Sequence, residues 1–147
     1  MEELVKKITH NGELFAMIIR GVPQDEGAFF YTPNDLSQQV AVMKHSAGRQ
    51  IDAHIHKPHK REVHYTQEVL ILRKGTLRMD IYDPHHNYLK SYLLRAGDIA
   101  LLVAGGHGFE VVDDVEMIEV KQGPFLPEAD KMKIPAVNQA NINIEDL

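Results

Sequence analysis

The chain has 147 residues, no cysteine and a net charge of −5 with its nine histidines neutral. That length suits one domain that buries a core without staples. Disulfides, thiolate metal sites and thiol catalysis are excluded, and the acidic balance gives no expectation of a nucleic-acid partner.

The opening residues, Met-Glu-Glu-Leu-Val-Lys-Lys, lack the apolar core of a secretory signal. No apolar run reaches membrane-spanning length. A cytoplasmic protein with no membrane partner is therefore expected. Residues 2–8 alternate loosely and fit a short helix or a first strand. Residues 14–19 are apolar and partly β-branched, bounded by Asn11-Gly12 and by Gly21-Val-Pro23, and predict a strand. Residues 29–31 and 38–44 predict two more, and Ser46-Ala-Gly48 a turn.

From there the rhythm is regular. Strands are predicted over 50–56, 68–73, 76–82, 88–94, 99–103, 107–112 and 116–121. Turn signals separate them at 74–75, 83–87, 95–98, 104–106 and 113–114. Many short strands at near-even spacing predict an all-β sandwich or closed barrel. One domain over 1–147 is expected, with its barrel core at about 38–121. Residues 123–147 carry three prolines and the polar run Asn-Gln-Ala-Asn-Ile-Asn. They read as an arm that wraps the surface, stays partly disordered or packs on a second copy.

The chemistry concentrates in Gly48-Arg-Gln-Ile-Asp-Ala-His54-Ile-His56, then Glu68, then Gly105-Gly-His107-Gly. On a strand, side chains two apart share a face, so His54 and His56 converge. Glu68 opens the next predicted strand with Leu70 and Leu72 on its face, and residues 57–66 form the turn of a hairpin that returns it beside the histidines. His107 opens a later strand with Phe109 and Val111. Three imidazoles and one carboxylate make a ligand set for a divalent transition metal, with positions left open for chemistry. Glu62 is a rival carboxylate, but it lacks the apolar strand that follows Glu68.

The pattern Gly48-x5-His54-x-His56, Glu68-x6-Gly75 and Gly97-x5-Val103-x-Gly105-x-His107 resembles the two motifs of the cupins. The resemblance implies a double-stranded β-helix, a jelly-roll barrel with short N- and C-terminal arms. It also implies a metal (Fe, Mn, Ni or Zn) on His54, His56, Glu68 and His107. This chain departs from the pattern in placing eleven residues between His56 and Glu68. It has Val103 where proline is common, and His107 comes one position early. The stretch 105–124 further resembles small cupins of surface-polysaccharide and deoxysugar pathways, which implies a free or nucleotide-linked sugar as ligand.

Two functions follow from that resemblance. In one, the chain is a metalloenzyme that isomerises or epimerises a keto-sugar, with His64 the candidate base, or an iron dioxygenase on the same ligands. In the other, it is a non-catalytic barrel that binds or senses a small ligand. His59, His64, His85 and His86 read first as loop residues. Tyr65, Tyr82, Glu119 and Lys121 are alternative contacts for a sugar, and a homodimer is expected.

Overall fold

The computed structural model describes residues 4–147. The chain is nearly all β, and its main sheet curls into a half-barrel. The strands are β1 (Val5–His10), β2 (Glu13–Ile19), β3 (Gly27–Phe30), β4 (Ala41–Lys44), β5 (Glu68–Tyr82), β6 (Tyr88–Arg95), β7 (Ile99–Leu102), β8 (Gly106–Lys121) and β9 (Ile144–Glu145). The main sheet runs β1-β2-β7-β5-β6-β9, with β8 paired to β5, and β3 and β4 form a separate pair.

β5 is the spine. β8 pairs with it from Glu68↔Lys121 to Tyr82↔Gly106. Its other pairings divide: β7 takes Glu68 to Ile71, and β6 takes Thr76 to Tyr82. Between the two halves the chain bends, and the turn before β7 holds the bend through Leu72 N to Asp98 O and Gly97 N to Leu72 O. The predicted turns at 74–75 and 113–114 are opposed irregularities within two continuous strands, where the register shifts between Leu72 and Leu77. Gly75 sits there at φ 82°, and a Cβ on it would lie 2.1 Å from the carbonyl oxygen of Asp114. Glycine, read in sequence as a stop, instead lets two long paired strands stay in close contact through the irregular stretch.

Alternation along β5 explains the core. Glu68, Leu70 and Leu72 are buried while Val69 and Ile71 are half-buried. Leu70, Leu72, Leu77, Met79 and Ile81 pack with Phe15 and Ile18 of β2, Leu94 of β6 and Leu102 of β7. Each such side chain contributes roughly 1.5–3 kcal/mol by leaving water. Met17, Leu101 and Val103 form a second cluster, covered by Tyr31, Leu36 and Val40 from the segment between β3 and β4.

The C-terminal arm wraps its own chain. β9 lies parallel to β6. Val137 N donates to Tyr82 Oη (3.0 Å), and Asn143 N to Tyr88 Oη (2.9 Å). Buried Arg78 holds Asp80 with two bonds and reaches Gln139 in the arm. It also pairs with Glu110, so the cost of its burial is offset. Residues 50–56, predicted as a strand, carry none; the whole stretch 45–67 has no strand and is exposed up to Gln67.

Candidate functional site

Glu68 is the anchor of the site. Its place at the start of β5, in phase with Leu70 and Leu72, turns the carboxylate toward the core-facing side of the curled sheet, and only 7 % of the residue is exposed. A carboxylate so placed needs partners. His107 supplies one: its Nε2 is 3.1 Å from Glu68 Oε2. Lys121, opposite Glu68 in the β5–β8 register, supplies another, with Nζ 3.9 Å from Oε1. The His107 contact holds the Glu68 carboxyl below its ordinary value, against burial, which pushes it up; the charges of Lys121 and Lys131 add to the lowering.

His107 reaches Glu68 because β8 enters close to β5 and β2. Gly105 adopts φ 73°, and a Cβ there would meet Tyr82 O at 2.6 Å and the Phe15 ring at 2.9 Å. Glycine alone allows that approach without displacing the strand.

The pair faces a cavity of about 910 Å³ floored by Leu70 and Leu102 and walled by Phe109, Met117 and Glu119. His64 to Thr66 form one rim, and Asp130 to Met132, with Ile134, form the other. Thr66 Oγ1 and Asp130 Oδ1, 3.1 Å apart, join the rims. The Phe109 ring lies 5.4 Å from that of His107, so an apolar face adjoins the polar pair.

The structure brings together two of the four expected metal ligands, Glu68 and His107. His54 and His56 lie in the exposed 45–67 stretch, their rings 5.1 Å apart, with His54 Nδ1 2.9 Å from the Asp52 carbonyl oxygen. Among the described residues, no three His, Asp or Glu side chains gather as a metal cluster. As a test of fit, the donor chemistry at Glu68 and His107 suits a divalent ion, but the pair alone is two donors short of the expected set.

Of the other candidates, Glu62 is exposed and stands 4.0 Å from Lys60 and 3.9 Å from His64. His64 and Tyr65 border the cavity from the exposed stretch, while His59 is exposed away from its lining. Tyr82 is buried and receives the arm's backbone, a structural task. His86 lies in the 83–87 turn at φ 70° and borders the cavity, and His85 N bonds Asp83 in the same turn. Lys121 and Asp130 are the residues whose importance sequence alone underrates. Alternation with Val120 leaves Lys121 either on a solvent face or as a sugar contact, and the cross-strand register that sets it against Glu68 appears only on folding.

Compared with protein-family models, curated proteins and solved structures, the chain matches none. Among the described residues, no helix is long and apolar enough to cross a membrane.

Proposed function

We propose that this chain is a cupin-like β-barrel that binds a small carbohydrate, free or nucleotide-linked, at a divalent-metal site formed by His54, His56, Glu68 and His107. The observation that carries the reading is the buried Glu68 carboxylate beside the His107 imidazole, both facing a ligand-sized cavity. A second feature supports it. Among the described residues β8 pairs with β5 alone, so its edge at 106–112, next to His107, has no strand beside it. Unpaired edges favour strand addition. The exposed 50–56 stretch has strand-like alternation, and pairing there would turn His54 and His56 toward His107 while closing the barrel.

A bound ion would supply Lewis acidity toward a sugar carbonyl and its neighbouring hydroxyl. The chain's own residues do the rest. Glu68 and His107 orient the polar end of the ligand, Phe109 covers its apolar face, and His64 at the rim takes up or returns the proton in an isomerisation or epimerisation. The exposure of the His64 side chain, 78 %, favours a second reading, a binding or sensing barrel without turnover. The apolar residues Val112, Ile118 and Val120 are exposed on β8 and favour a homodimer, which light scattering tests.

The deciding experiment is elemental analysis of tag-free protein, followed by titration with a panel of sugars and nucleotide-sugars. Stoichiometric Fe, Mn, Ni or Zn that is lost in His56→Ala and Glu68→Gln and kept in Glu62→Gln supports the proposal. Loss in Glu62→Gln with retention in Glu68→Gln would make Glu62 the carboxylate ligand and overturn the assignment to Glu68.

A further inference from the structure

The outer face of the main sheet, opposite the side that carries Glu68, is apolar across four strands. Side chains directly opposite each other in a strand pair share one side of the sheet. Met17 of β2 lies opposite Leu101 of β7, Leu101 opposite Val69 of β5, and Val69 opposite Val120 of β8. Ile19, Ile99, Ile71 and Ile118 make a second such row. Cover over these rows is uneven. Met17 and Leu101 are buried beneath Tyr31, Leu36 and Val40. Val69 and Ile71 are half-buried, and Ile118 and Val120 are 43 % and 50 % exposed. The β8 end of each row is therefore bare β-branched surface, which favours association. Charges mark one end of this patch. Arg73 follows Val69 and Ile71 in the alternation of β5, and Glu116 precedes Ile118 and Val120 in that of β8. Both are exposed, and among the described residues neither makes an ion pair.

We propose that this patch is the contact between two copies of the chain, packed outer face to outer face about a two-fold axis that runs along the strands, midway between β5 and β8. Such an axis lays the β5 row of each copy on the β8 row of the other. Val69 then covers Val120, Ile71 covers Ile118 and Arg73 meets Glu116, each contact being made twice. The opposite signs at one end of the patch select a second copy as the occupant, because they make the surface complementary to itself. Two twisted sheets pack in this aligned manner in β-sandwiches. The inference rests on the homodimer reading above and on no part of the metal reading. It also leaves the cavity beside Glu68 and Leu70 open, since that cavity lies on the other side of the sheet. Four apolar side chains per copy give a reversible dimer, with a dissociation constant on the order of 10 µM.

The test is sedimentation equilibrium at protein concentrations on either side of that value, with circular dichroism to confirm folding. Wild type is compared with Ile118→Asp, Arg73→Glu, Glu116→Arg and the double variant Arg73→Glu/Glu116→Arg. Val22→Asp is the control, because Val22 is an apolar residue 61 % exposed in the loop after β2, off the patch. Ile118→Asp should weaken association at least about a hundredfold, since the interface meets the substitution twice. Val22→Asp should stay within about twofold of wild type. Arg73→Glu and Glu116→Arg should each weaken association about tenfold by setting like charges together. The double variant, which reverses both signs, should return to within about threefold of wild type. If Ile118→Asp fails to fold, the charge series decides alone, because both of its positions are exposed. A wild type that stays monomeric overturns both this face and the homodimer reading. A dimer that Ile118→Asp leaves intact, or that the charge series leaves unchanged or does not restore, overturns this face and leaves the homodimer standing.

Discussion

Gly75→Ala is the sharpest test of how β5 and β8 are joined. Two costs add at this position. A left-handed backbone, φ 82°, penalises any residue with a Cβ by roughly 1–2 kcal/mol. The new methyl would also sit 2.1 Å from the Asp114 carbonyl oxygen and 3.0 Å from that of Asp113, and both obstacles are backbone. Relief requires the strands to part at the irregularity that separates the β7-paired and β6-paired parts of β5, for a total of about 3–5 kcal/mol. Gly12→Ala is the control: it has a similar φ of 80° but nothing within 4 Å of its Cβ position. It should cost only about 1 kcal/mol, offset in part by the stiffer unfolded chain. Urea unfolding followed by circular dichroism, with both slopes compared, measures the difference. Equal destabilisation by the two substitutions would refute the close approach of β5 and β8 at Gly75.

Other expectations concern the arm and its seam. Arg20→Ala removes two bonds to Asp98, at 2.9 and 2.6 Å, and leaves that 3 %-exposed carboxylate without its guanidinium; a loss of about 2–3 kcal/mol is expected in thermal melts, less than for a fully buried pair because Arg20 is partly solvated. Glu145 is bonded to Lys6 and Lys90, which hold its carboxyl below the ordinary 4.5, so its contribution is present above pH 4.5 and fades as acid takes the folded protein through the lower value. Glu145→Gln should flatten that acid limb by about 1 kcal/mol, since the pair lies at the surface where water still screens it in part. The same bonds raise Lys6 and Lys90 above 10.5, so their share is present below pH 10.5 and is lost as alkali passes the raised values. Tyr82→Phe deprives Val137 N of its acceptor and should speed amide exchange at 137 by about tenfold while leaving β5 protected.

The β-rich architecture was legible because alternation is a local property. The pattern of Glu68, Leu70 and Leu72 placed a carboxylate on a core-facing strand, and Glu68 is buried there. Glycine misled the reading of boundaries. Gly75 and the Asp113-Asp114 pair carry turn composition, yet in the fold they are irregularities where two long strands pass. A single sequence does not distinguish a chain reversal from a bulge, because both need a residue free of Cβ conflict or a polar pair left unpaired. The juxtaposition of Glu68 with His107 followed from motif spacing, whereas Lys121 and Asp130 depended on register and on the return of the C-terminal arm, both long-range features. The 45–67 stretch is where local pattern and folded structure part. Its residues 50–56 alternate like a strand, but Lys57, His59, Lys60 and Arg61 beside them favour water, and no strand forms.

The most direct test of the central claim, that His54, His56, Glu68 and His107 serve one ion, is nuclear magnetic resonance of the histidine side chains during titration with one equivalent of Zn²⁺. The account predicts that the imidazole signals of residues 54, 56 and 107 shift together and saturate at one ion per chain, with those of 59 and 85 unmoved. Saturation with the signal of residue 107 unchanged, or no saturable shift at all, would contradict it.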